Sequence, residues 1–133
     1  MEFLLDTNIC IYIIKRKPVQ VFKRFRELKP GDVAISSITF AELQYGVQKS
    51  SMPEKNQQAI EQFLLPLEIV DFNAKASVEY GVIRSDLEKR GIPIGSLDFL
   101  IAAHAKSLGL TLVTNNLREF SRIKGLKLVN WAE

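Results

Sequence analysis

Cysteine and histidine are almost missing from this chain: among 133 residues, Cys10 and His104 are the only ones. A single cysteine excludes an internal disulfide, and the apolar helical neighbours of Cys10 favour a buried thiol over a reactive one. A single histidine leaves Ser36, Ser37 and Cys10 without a Ser-His-Asp or Cys-His arrangement to activate them. His104 sits well around a helix from Asp98 and reads as a helix-surface or packing residue. Long apolar runs are lacking too. Ile9 to Ile14 and Phe99 to Ala103 fall far short of the roughly 18 residues a membrane span needs. The N-terminal segment carries Glu2 and Asp6 around a very short apolar stretch, without the basic start of a signal peptide, so the cytoplasm is the expected location. No Gly-x-x-x-x-Gly-Lys phosphate loop, repeat, low-complexity tract or linker is present.

What remains has the composition of an ordinary globular protein. With 47% hydrophobic and 25% charged residues, disordered and fibrous classes are excluded, and the length predicts a single domain over residues 1–133. Net charge is only +3, but Lys15, Arg16, Lys17, Lys23, Arg24, Arg26 and Lys29 crowd one short stretch. Such a run is either a dock for a polyanion or a solvated helix face.

Apolar and β-branched runs alternate with helical patterns, which predicts an α/β fold of βαβ units around a parallel sheet. Strands are expected at Glu2 to Leu5, Val33 to Ser36, Leu67 to Asp71, Leu110 to Thr114 and Leu126 to Val129. Pro18 suits the start of a helix carrying Val21, Phe22, Phe25 and Leu28. Thr39 with Glu42, and Ser51 with Glu54, have the spacing of capping boxes, and Pro53 supports the second start. Longer helices should run from about Asn73 to Arg90, stopping at Gly91, and from Ser96 to Leu108, stopping at Gly109.

Three acids, Asp6, Glu42 and Asp98, lie far apart in the chain, yet each falls where an apolar run passes into a helix start. That is the edge at which sites assemble in α/β sheets. Each has a local explanation. Asp6 can cap the helix beginning near Thr7, Glu42 can answer Thr39 in a capping box, and Asp98 can complement its helix dipole. Together they fit that account poorly, because Asp6 follows the buried-looking strand Phe3-Leu4-Leu5, Glu42 is flanked by apolar residues, and Asp98 opens the run Phe99 to Ala103. Acids drawn toward a core are costly when charged and unpaired, and a shared divalent cation removes that cost. Hard oxygen ligands suit Mg²⁺ or Mn²⁺, so the residues point to a metal-dependent phosphodiesterase. Two other classes compete. A flavodoxin-like phosphoacceptor domain needs an acidic pair near its first strand and a Lys after a late one, whereas Thr114 is followed by Asn115 and Asn116. A protein-interaction module that keeps the fold without activity is opposed by the intact acid trio.

Four segments, in order, carry a family resemblance: Leu4-Leu5-Asp6-Thr7-Asn8, Ile35 to Leu43, Ile94 to Ala103, and Leu112-Val113-Thr114-Asn115-Asn116. With the trailing Arg118-Glu119-Phe120 and Asn130-Trp131, they resemble the PIN-domain ribonucleases, specifically the VapC toxins of bacterial toxin–antitoxin pairs. The resemblance implies a three-layer αβα fold with a short parallel sheet flanked by helices. It also implies Mg²⁺-dependent endoribonuclease activity, inhibition by a small VapB-like antitoxin, and transfer RNA, with initiator tRNA foremost, as the substrate. In such enzymes the positions matching Asp6, Glu42 and Asp98 form the acidic site, with Asp6 and Asp98 as principal metal ligands and Glu42 a ligand directly or through water. The family's fourth acid falls on Asn116, whose amide oxygen coordinates but adds no charge. Glu119 is either the replacement carboxylate or a solvent-facing helix acid. Thr114 and Asn116 are candidates for holding water or the substrate phosphate, and Thr7 and Asn8 for the same role or for capping. Arg84, Arg90 and Arg118 are further RNA-contact candidates, although Arg84 and Arg90 can equally bridge Glu79, Asp86 and Glu88. The long helix after Asn73 suggests a homodimer.

Overall fold

The computed structural model describes residues 1–133. Five strands, β1 (Phe3–Leu5), β2 (Val33–Ser36), β3 (Glu68–Val70), β4 (Thr111–Val113) and β5 (Leu128–Val129), form one sheet in the order β3-β2-β1-β4-β5. Every pairing is parallel, with Phe3 opposite both Val33 and Thr111 at the centre. Seven helices complete the chain: α1 (Thr7–Lys15), α2 (Val19–Arg26), α3 (Ser37–Lys49), α4 (Pro53–Leu64), α5 (Ala74–Lys89), α6 (Ser96–Leu108) and α7 (Leu117–Phe120).

The alternation of side chains along a strand builds the layers. Phe3, Leu5, Val33, Ile35 and Val113 point to one face, where they pack with Ile9, Ile13, Val21, Val47 and Phe63 from α1 to α4. Leu4, Ala34 and Leu112 point to the other face and meet Ile83, Leu87, Phe99 and Ala102 from α5 and α6. Both faces of the three inner strands are therefore dry, as a parallel sheet requires. Trp131 closes the first core near the end of the chain, with its ring edge-on to Phe3 at 5.4 Å.

The order of strands locates the working edge. The chain steps outward from β1 to β2 to β3, then returns through α5 and α6 to lay β4 on the other side of β1. The reversal lies between β1 and β4, and ligands in open α/β sheets bind beyond the carboxyl ends of the strands at such a point. A flavodoxin-like order, 2-1-3-4-5, would put β3 beside β1; here β3 is the outer edge, and the phosphoacceptor alternative falls on topology.

Two expected caps are corrected. The helix carrying Glu42 starts earlier than the Thr39 spacing suggests, because β2 runs directly into α3 and Ser36, its last residue, is the N-cap, accepting from the Ile38 amide. Thr39 is buried inside the helix, and Glu42 has no capping duty. At α4, Pro53 does occupy the first turn, but the cap is Met52, with no side-chain bond, and not Ser51. His104 belongs to the core and not to a helix surface: it is 1% exposed, with Nδ1 2.8 Å from the Ser36 hydroxyl. Ser36 is fully buried too, so this Ser-His contact is a packing pair with no access to a substrate.

Candidate active site

The strand β1 ends in Asp6, and the chain turns there into α1. The Asp6 amide donates to the Val113 carbonyl of β4 at 3.0 Å, and its Oδ1 accepts from the Ile9 amide at 2.9 Å. Capping fixes the carboxyl at the reversal point of the sheet but does not require a carboxyl, since Asn caps equally well. Asp6 is only 6% exposed. Burial pushes its pKa up to about 6, with nearby Asp98 adding to the rise, while the Thr114 hydroxyl and the Ile9 amide pull the other way. The protein thus retains an acid where an amide would serve the helix at lower cost.

Asp6, Glu42 and Asp98 line one cavity of about 430 Å³, together with Thr7, Asn8, Gly95 and Ser96. No lysine or arginine is in its wall, and none of the ion pairs in the molecule reaches the three acids. Asp98 comes from the first turn of α6. Its pKa is also raised, first by burial and then by the charges of Glu119 and Glu42. Asp98 thus lies within electrostatic reach of Asp6, Glu42 and Glu119. As they lie, no three of them close on a single point. Like charges with no cation side chain between them have every reason to stand apart. The donor set is nonetheless all oxygen, partly desolvated and negatively charged, which fits a hard divalent cation.

The remaining candidates divide by position. Thr7 and Asn8 are in the cavity wall. Thr114 is fully buried beneath Asp6, and its hydroxyl accepts from the Asn116 amide at 3.0 Å. Asn116 caps α7, and its Nδ2 donates to Glu119 Oε2 at 3.1 Å, so the amide holds the neighbouring carboxylate. Asn115 Nδ2 donates to the Tyr12 hydroxyl at 2.6 Å and ties this turn to α1. Sequence reasoning missed Gly95 as part of the wall. A Cβ there would stand 3.5 Å from Asp98 Oδ2, and its place just before the helix bearing Asp98 was the available signal.

The basic stretch is partly committed to local contacts. Arg16 and Arg26 lie over the Phe22 ring at 5.0 and 5.7 Å, and Arg24 pairs with Glu27. Arg84 pairs with Glu88 and Arg90 with Asp86, along their own helix.

A parallel five-stranded sheet with acids gathered at its reversal point defines a class, and the family model of the PIN domain matches residues 3–126. The chain belongs to the PIN-domain family. The tRNA(fMet)-specific endonuclease VapC of Shigella flexneri is 48% identical over 132 residues, covering 99% of each chain. Ribonuclease VapC2 of Rickettsia felis is 50% identical over 132 residues, covering 98% of each. Among solved structures, VapBC2 from Rickettsia felis bound to a DNA fragment from their promoter superposes with a TM-score of 0.92 at 48% identity, over 98% of this chain and 99% of that one. Within its family, the chain is a VapC-type nuclease.

Proposed function

We propose that this protein is the toxin of a type II toxin–antitoxin pair, a Mg²⁺-dependent endoribonuclease that cuts tRNA, with initiator tRNA as the first substrate to test. The observation that carries the metal-dependent chemistry is Asp6. A buried carboxyl with a raised pKa, at a cap where Asn would do, is explained by a cation that it helps to hold. The Shigella flexneri relative, named for tRNA(fMet), supports the substrate. The structures named VapBC support a small VapB-like antitoxin as partner, and such an enzyme acts in the cytoplasm, where tRNA is.

Asp6, Asp98 and Glu42 would hold the ion. Mg²⁺, or Mn²⁺, supplies charge neutralisation of the phosphate and activation of an attacking water. Thr7 and Asn8 offer hydrogen bonds to the phosphate from the cavity wall. Thr114, beneath the site, hydrogen-bonds Asp6, and Asn116 holds Glu119, whose charge reaches Asp98 and adds what the amide lacks.

Purified protein should cleave tRNA with Mg²⁺ and not with EDTA. Asp6→Ala or Asp98→Ala should lose at least a hundredfold in rate, an order set by losing one charged element of a phosphoryl-transfer site, with the fold retained. Full activity in either variant would refute the assignment. The exposed Val78 and Val82 on α5, one turn apart, support a homodimer. Sedimentation at micromolar concentration should report twice the chain mass, and a monomer there would count against it.

A further inference from the structure

A second concavity opens from the acid cavity. It encloses about 500 Å³ between α1, α3 and α4, and shares Thr7, Asn8 and Glu42 with the first. Helical spacing sets its composition. Glu42, Tyr45 and Lys49 recur at i, i+3 and i+7 along α3, and Asn8 and Lys15 stand seven residues apart along α1; all five line the groove. At 1.5 Å per residue, each lysine lies roughly 10 Å along its helix from the acid end. The groove therefore begins at the Glu42 carboxylate and ends at cations, and neither lysine is in an ion pair. Tyr45 is 66% exposed on its rim, with the Lys49 ammonium 5.2 Å from its ring centre. Beside it, a Cβ on Gly46 would meet no atom within 4 Å, so the groove is open at that point.

A wall of carboxylates repels a nucleic-acid backbone, and attraction must come from charge beyond the site. An exposed aromatic ring beside lysines outside any ion pair has the two features that bind single strands without reading sequence: stacking for a base and a cation for a phosphate. We infer that this groove takes the single-stranded RNA flanking the scissile phosphate, with one base stacked on Tyr45 and a nearby phosphate held by Lys15 and Lys49. The inference rests on the nuclease function of the acid site and adds the residues that hold its substrate. The other occupant that the groove admits is a partner protein's tail, since Ile11, Ile14, Leu43, Val47 and Ile60 also line it, but the two lysines without ion pairs and the exposed ring favour a polyanion with π-faces.

Cross-linking tests this without cleavage. A short single-stranded RNA carrying 5-bromouridine at successive positions is irradiated with the full chain in EDTA, and the adduct is mapped by peptide mass. The adduct should fall on Tyr45 and vanish in Tyr45→Ala. In cleavage assays, Tyr45→Ala should raise KM about tenfold, within the range of one lost base stack, and Tyr45→Phe should restore it. Gly46→Leu, which fills the groove with a better helix former, should raise KM as well. Adducts elsewhere, or an unchanged KM in both Tyr45→Ala and Gly46→Leu, overturn the inference. So does a groove that binds a peptide tail while these variants leave RNA cross-linking unmoved. A wild-type chain that forms the Tyr45 adduct yet cuts no RNA with Mg²⁺ would sink the nuclease function and leave the groove standing.

Discussion

Asp6 is the residue on which structure and chemistry pull in opposite directions. Its backbone and Oδ1 serve the fold, joining β1 to β4 and starting α1, and its charge does not. The consequence for stability has a definite sign. Unfolded, the carboxyl loses its proton near its ordinary pKa of 3.8, and folded it holds the proton to about 6. Between those values the folded state binds more protons, so Asp6 lowers stability as pH rises through that window and leaves a constant deficit above it. Asp6→Asn keeps the cap and removes the charge. In metal-free buffer the variant should gain on wild type from about pH 4 to pH 6 and hold a gain of about 1–3 kcal/mol at pH 7, on the order of 1.36 kcal/mol for each unit of the rise. Urea unfolding across that range measures it, and a variant less stable than wild type at pH 7 would show the carboxylate to be structural.

At the scale of elements, the strands and most helix ends were legible in the sequence. All five strands lie within the segments expected from their apolar, β-branched runs, and α6 spans Ser96 to Leu108 as its glycine stop implied. Caps were less legible. Thr39 and Glu42 have the spacing of a capping box, but spacing is silent on where a strand ends, and β2 passes into α3 with no loop between them. His104 was equally hard to place, since its partner Ser36 is distant in sequence and α6 is buried over most of its turns. The hydroxyl of Ser36 accepts from Ile38 and lies against His104 Nδ1, so it serves two elements at once. Ser36→Ala should remove the α3 cap and strand a buried ring nitrogen, at a cost of about 2–3 kcal/mol. Thermal or urea unfolding reads this directly, and a cost below about 0.5 kcal/mol, the level of an inert surface change, would show the pair to be idle.

At the scale of the whole molecule, convergence was the part that the sequence could only suggest. Asp6, Glu42 and Asp98 come from three elements, and only the sheet order, with its reversal between β1 and β4, brings them to one cavity. Glu119 was harder still to place, because its contact with Asn116 belongs to the turn that opens α7, which spacing alone does not show. Gly95 carries no side chain to announce itself. The same architecture that gathers negative charge leaves Lys15 and Lys49 in the wall of an adjoining groove. The gathered acids are proposed to share one divalent ion. Anomalous diffraction from crystals soaked in Mn²⁺ tests it most directly: a peak bonded to both the Asp6 and Asp98 carboxylates is the expected result, and a cavity that stays without a peak at millimolar Mn²⁺ would contradict it.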